Sequence, residues 1–228
     1  MLEYVERNYL GLVSEVENIS SRSGVAVPKI VAVTKSGTDE ELQALVRAGA
    51  YAIGENRPTE LVRRGALLSG LGLSCELHQI GTLQSNKAKL VAPIATAVHS
   101  LASLSLAEEL SKRCVSLGKV MPVLIEINSA SEPQKDGVLP ENAERFFESV
   151  MNFEGLRVSG LMTMGPVVAT PEEIRPYFRI TKQLFDSLSH KYGFGDDPIL
   201  SMGMSDSYKV AIEEGSTLIR VGRRLFIK

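Results

Sequence analysis

Lys35 ends the run KIVAVTK at residues 29–35, and strand alternation places it on the same face as Val31 and Val33. An ammonium held beside apolar surface has its charged form disfavoured, and the neutral amine is a nucleophile suited to forming a Schiff base with a carbonyl. The plainer reading is a solvated lysine at a strand end. A second group lies far along the chain, where ILSMGMSDS (199–207) is followed by LIRVG (218–222). Gly203 and Gly222 would let backbone N–H groups approach an anion, and Ser201 and Ser205 would add hydroxyl donors. A helix opening at Ser205 would contribute its positive end, and Arg223 is a further cation for the same anion. Alternatively, Ser205 simply caps its helix and the glycines make turns. Arg220 shares strand parity with Gly222 and so points inward, where a lone guanidinium is costly. It needs an acceptor: Glu126 or Glu55 in a structural pair, or an atom of a ligand.

Other polar residues read more blandly. His78 lies two residues inside a strand pattern and reads as a packed histidine. With His78, His99 and His190 the only histidines and no HExxH motif, a metal site has little support. Gln84–Lys89 reads as the solvated face of a helix, and Met162, Met164, Met202 and Met204 as packing around a barrel mouth.

The elements that would position these groups alternate along the whole chain. Short apolar runs at 29–35, 51–56, 76–81, 97–101, 120–128, 156–164, 199–202 and 218–222 predict strands. Helical spacing predicts helices at 39–48, 57–68, 84–91, 104–117, 140–151, 172–190 and 205–214, with another at roughly 2–21. Thr38 with Glu41 forms a capping-box pattern, and Pro171 after Thr170 marks another helix start. Runs such as IVAV and PVLIEI are apolar on both parities, as in strands covered on both faces. Eight such units predict one α/β domain over residues 1–228, a (β/α)8 TIM barrel with an extra N-terminal helix; a doubly wound open sheet is the alternative. In a barrel, Lys35, Asn56, Ser201, Ser205, Gly222 and Arg223 all fall at the C-terminal strand ends, where chemistry is carried.

Composition agrees with this class. The 228 residues carry a formal charge of −2, are 44% hydrophobic and 23% charged, which excludes collagenous, disordered and disulfide-scaffold chains. Near-neutral charge gives no support to bulk electrostatic binding of nucleic acid. Cys75 and Cys114 are far apart, without a CxxC or zinc-like pattern, and read as thiols of a reducing cytoplasm. Leu90–Ala107 lacks charges, but Pro93, Thr96 and His99 within it predict helix end, strand, turn and helix start, not a membrane span.

The ordered set VAVTK (31–35), GEN (54–56), HQIGTLQSNK (78–87), INSASEPQKDG (127–137), GLMTMG (160–165), LSMGMSDSYKVAIEEGST (200–217) and IRVG (219–222) resembles the pyridoxal phosphate homeostasis protein family. That family shares the barrel of the alanine racemase N-terminal domain. The resemblance implies that pyridoxal 5′-phosphate (PLP) is bound as an aldimine on Lys35, with Arg220 at the pyridine nitrogen and Asn56 near the ring. Ser201, Ser205 and the backbone at Gly222 and Arg223 would hold the phosphate. It further implies a role in vitamin B6 balance without established turnover. The expected partners are the cofactor and PLP-dependent apo-enzymes, with no nucleic acid or membrane, for a cytoplasmic monomer.

An arginine at the ring nitrogen would keep it unprotonated and weaken the ring as an electron sink. Racemase relatives add a β-rich domain bearing a catalytic tyrosine, whereas this sequence ends at Lys228 soon after the eighth strand. The expectation is therefore a missing acid/base partner, with weak racemase-type activity as the alternative. An aldolase would need an acid near Lys35, for which Glu55 is the candidate. Departures from the family pattern are Arg57 and Pro58 after GEN, Leu77 in place of a tryptophan, and Arg223 in place of a small hydroxyl residue. Arg223 would either supply a charge-assisted hydrogen bond to the phosphate or crowd it.

Overall fold

The computed structural model describes residues 2–168 and 170–228. Eight strands, β1 (Lys29–Val33), β2 (Ala52–Glu55), β3 (Glu76–Gln79), β4 (Ala97–Leu101), β5 (Met121–Glu126), β6 (Leu156–Met162), β7 (Ile199–Ser201) and β8 (Leu218–Val221), pair in parallel in chain order. β1 also pairs with β8, so the sheet closes as the expected barrel and not as an open doubly wound sheet. Around it lie α1 (Glu3–Ser23), α2 (Asp39–Arg47), α3 (Pro58–Gly70), α4 (Ala88–Val91), α5 (Leu104–Ser116), α6 (Ala143–Val150), α7 (Arg175–Tyr192) and α8 (Tyr208–Glu213).

Alternation along the strands divides the core. Val31, Val33, Ala52, Ile80 and Leu218 meet inside the barrel. Ile30, Ala32, Ile219 and Val221 point outward and pack beneath the helices. In α1, Val5, Tyr9, Leu12, Val16 and Ser20 form the buried stripe expected at three- and four-residue spacing. That stripe packs against Ile30 of β1, Val221 of β8 and Ile212 of α8, covering the outside of the β1–β8 seam. A short 3-10 turn, Arg223–Phe226, follows β8 and packs against α1, which covers the barrel there.

The strand boundaries differ from the sequence expectation in one direction: β1, β3, β5 and β6 each stop two residues earlier at the C-terminal end. The apolar signal runs on, but the ladder ends as the chains splay into loops. Single bonds persist beyond the formal ends, as from Thr34 N–H to Gly54 O at 3.2 Å. The predicted helix start at Ser205 also moves, because residues 205–207 form turns and α8 begins at Tyr208. Leu90–Ala107 divides into the end of α4, a turn, β4 and the start of α5. Among the described residues, no helix is long and apolar enough to cross a membrane.

Candidate functional site at the barrel mouth

Lys35 lies two residues beyond β1, exposed in the turn leading to α2, because the ladder has already ended. The turn itself is held from outside the barrel. The Thr34 hydroxyl donates to Glu55 Oε1, and Arg64 Nη2 donates to Gly37 O at 2.5 Å. A Cβ on Gly37 would lie 2.7 Å from the Phe226 ring, so the turn is wedged between α3 and the C-terminal segment. Burial raises the pKa of Glu55, opposed by the Thr34 hydrogen bond and the Arg64 charge. This carboxyl faces Thr34 and Arg64 behind the strands, which removes it both as the predicted partner of Arg220 and as an acid for Lys35.

Asn56 is exposed just past β2, and its backbone carbonyl accepts from Gln79 Nε2 at 3.0 Å. Gly81 passes so close that a Cβ there would sit 2.6 Å from Asn56 O. The loops after β2 and β3 are thereby locked together at the rim.

Inside the barrel, Arg220 is 4% exposed. Its Nη1 donates to Ser201 Oγ at 2.6 Å and Ser201 O at 3.0 Å, and its Nη2 donates to Thr163 O at 3.0 Å. All three acceptors are neutral, and among the described residues no carboxylate is ion-paired with it. Burial lowers its pKa to about 10, and the charge of Glu126 opposes that shift. The guanidinium is therefore still protonated at neutral pH. Burial also raises Glu126 to about 7, with Arg220 pulling it down and Asp136 pushing it up. Glu126 lines a cavity of about 280 Å³ with Thr82, Ser100, Lys135 and Asp136.

Ser201 is fully buried, with its hydroxyl on Arg220 inside the barrel instead of on the loops after β7 and β8. The same oxygen lies 3.2 Å from His99 Nδ1, and His99 Nε2 lies 2.9 Å from His78 Nδ1. Burial holds both imidazoles neutral, His78 at about 4 and His99 well below the ordinary histidine value. His78 is thus packed, as read, but hydrogen-bonded as well. His99 is the participant that the residue reading passes over; a histidine between Val98 and Ser100 on the inward parity was the available signal.

The remaining residues gather on the β7–β8 side. Ser205 does not cap α8: Ser207 precedes that helix and accepts from Met204 N–H at 3.1 Å. Ser205 Oγ instead accepts from Gly222 N–H at 3.3 Å, which brings the two loops together. A Cβ on Gly222 would stand 2.9 Å from Val33 O, so only glycine lets this backbone lie against β1. Arg223 is paired with Asp206, and its side chain is 69% exposed. The structure therefore brings Ser205 and Gly222 together, sets Arg220 and Ser201 below them, and leaves the Arg223 guanidinium at the outer rim.

This barrel, with a lysine after its first strand and an inward arginine on its last, is of the alanine racemase N-terminal domain class, whose family model matches residues 12–227. A relative from Aquifex aeolicus, named pyridoxal phosphate homeostasis protein, is 40% identical over 198 residues, covering 87% of this chain and 86% of the relative. One of the same name from Helicobacter pylori is 36% identical over 229 residues, covering 99% of each. The chain belongs to the pyridoxal phosphate homeostasis protein family. Among solved structures, PipY of Synechococcus elongatus PCC7942 with PLP bound has a TM-score of 0.84 at 26% identity, covering 98% of this chain and 100% of that one. Alanine racemase of Clostridium difficile 630 shares the fold, with a TM-score of 0.69 at 18% identity; this comparison covers 94% of this chain and 55% of the racemase.

Proposed function

We propose that this chain binds PLP at the barrel mouth and serves PLP homeostasis, holding the cofactor on Lys35 without turning over a substrate. One observation carries the reading. Arg220 is buried, charged and held by neutral acceptors that use three of its five N–H groups, so it retains donors for a neutral ring nitrogen. Bound PLP supplies an electrophilic aldehyde carbon and a conjugated ring that can spread negative charge.

The chain's own groups then divide the work. Lys35, exposed at the mouth, would be the amine that holds the aldehyde. Arg220 would donate to the ring nitrogen and, being protonated itself, would leave that nitrogen unprotonated, which would weaken the ring as an electron sink. Asn56, exposed just past β2, would be the residue near the ring. Ser205 and the backbone at Gly222 and Arg223 would hold the phosphate, while Ser201 steadies Arg220 from below. The 228 residues act as one domain, a cytoplasmic monomer that passes PLP to apo-enzymes.

A second reading, slow racemase-type proton exchange on an amino acid, is favoured by Glu126, a buried carboxyl that titrates near neutrality and senses the charge of Arg220.

The test is the visible spectrum of the purified protein with PLP, before and after borohydride, followed by peptide mass. The expected result is an absorbing adduct fixed on Lys35 and lost in Lys35→Ala, with no racemisation of added amino acids. A protein that stays colourless with PLP overturns the binding reading. Racemisation abolished by Lys35→Ala would select the enzymatic one.

A further inference from the structure

Ser201, His99 and His78 come from β7, β4 and β3, yet their side chains form one hydrogen-bonded line across the barrel interior beneath Arg220. None is more than 2% exposed. The direction of this line follows from counting hydrogens. Ser201 Oγ accepts from Arg220 Nη1 at 2.6 Å, and its own single hydrogen needs an acceptor. The other group in reach is His99 Nδ1 at 3.2 Å. If Nδ1 carried a proton, the oxygen would receive two N–H groups and its hydrogen would have no partner among the described residues. The matched arrangement has the hydroxyl donating to Nδ1, which puts the His99 proton on Nε2. That proton is then donated to His78 Nδ1 across 2.9 Å. Each donor from Arg220 Nη1 to His99 Nε2 thus finds an acceptor, and all of them run the same way. The hydrogen left without a partner among the described residues is on Nε2 of His78, the only one of the three with any exposure.

We propose that Ser201, His99 and His78 are positioning residues, a buried relay that fixes the Arg220 guanidinium for the ring nitrogen of PLP; this rests on the binding reading above. The need for such a relay comes from the absence of a carboxylate partner on Arg220 among the described residues. An arginine held only by neutral oxygens is free to turn toward Glu126, the nearby buried acid whose charge it senses. Neutral acceptors leave its positive charge uncompensated for the ligand, while a hydroxyl that is itself donating becomes a stronger acceptor and resists that turn. Neutral histidines suit this role because a protonated His99 would reverse its bond to Ser201 and set a second positive charge close to Arg220. The chain has two histidines where one would satisfy Ser201, and His78 fixes which His99 nitrogen is bare.

The test compares PLP binding and the absorption of the bound cofactor in wild type, His99→Leu and His99→Asn. His99→Leu strands the Ser201 hydrogen and should weaken PLP about tenfold, the loss expected for one misaligned charge-assisted bond, with a shifted absorption maximum. His99→Asn offers an amide oxygen near the place of Nδ1 and should restore most of both. A folded His99→Leu protein with wild-type affinity and spectrum overturns the relay. Nitrogen-15 NMR of the ligand-free wild type gives a check that survives any folding defect in the variant. His99 should show a bare Nδ1 and a protonated Nε2, and Ser201→Ala should change that pattern. A protonated Nδ1 in the wild type overturns the assignment. Wild type that takes up no PLP at all would instead overturn the binding reading, whatever the tautomer.

Discussion

Arg64 and Arg220 are both 4% exposed, and their surroundings are opposite in kind. Arg64, on α3 outside the barrel, is paired with Asp39, lies 3.9 Å from Glu55 and holds the carbonyl of Gly37. Its charge is answered locally, and what it secures is the turn bearing Lys35. Arg220, on the inner face of β8, has only backbone carbonyls and one hydroxyl as acceptors, and its charge is left for something else to meet. Burying a charge without a counter-charge costs stability, so that cost at Arg220 marks a functional position, whereas a compensated charge marks a structural one.

The comparison can be broken at several points. Arg64→Met leaves the buried Glu55 without its cation and Gly37 O without its donor. Equilibrium urea unfolding should show a loss of about 3–5 kcal/mol, the range for removing one partner of a buried pair. A loss below about 1 kcal/mol would deny Arg64 its structural role.

Glu126 tests from the other side whether Arg220 is truly uncompensated. Burial raises its folded pKa to about 7, above the ordinary 4.5 of the unfolded chain. Between those values the unfolded chain is ionised and the folded protein holds the proton. The contribution of Glu126 to stability is therefore greatest below about pH 4.5 and is lost as pH rises through about 7. Relative to Glu126→Gln, wild type should lose about 2–3 kcal/mol across that window, measured by unfolding at each pH. A flat difference would mean that Glu126 is ionised throughout and neutralises Arg220 after all.

The smallest change in stability is expected at Arg220 itself. Arg220→Met removes an uncompensated charge while leaving three acceptors short of a donor, and the two effects should nearly cancel, within about 1 kcal/mol. PLP affinity, titrated by absorbance, should nevertheless fall about 10–100-fold, as expected for lost charge-assisted hydrogen bonds. A large stability loss with unchanged affinity would reverse the roles of the two arginines.

Much of the fold is legible in the sequence. Alternation in KIVAV and LIRV separates inner Val31, Val33 and Leu218 from outer Ile30 and Ile219, and the same parity turns Arg220 inward. The site was legible residue by residue but not as an arrangement. Ser201 and Ser205, four residues apart, read together as hydroxyls for one anion, yet only Ser205 meets the backbone of Gly222, and Ser201 drops inside to Arg220. Glu55 and Glu126 were equal candidates to pair with Arg220, since each stands near a strand end. Alternation along β2 puts Glu55 on the outer face with Ile53, where it meets Thr34 and Arg64. Parity tells which face a residue takes, but the height at which residues of distant strands meet depends on how the barrel closes and staggers.

Local chemistry within the chain therefore determined the strands, the helices, their facing and the residue types at the mouth, because alternation, helical spacing and caps act over a few neighbours. Tertiary structure alone decided that residues 78, 99, 201 and 220 form one hydrogen-bonded line, since its bonds join residues 19, 21 and 102 positions apart. Only closure of the barrel excludes the water that would otherwise satisfy each of those groups separately, and in a dry interior they must satisfy one another.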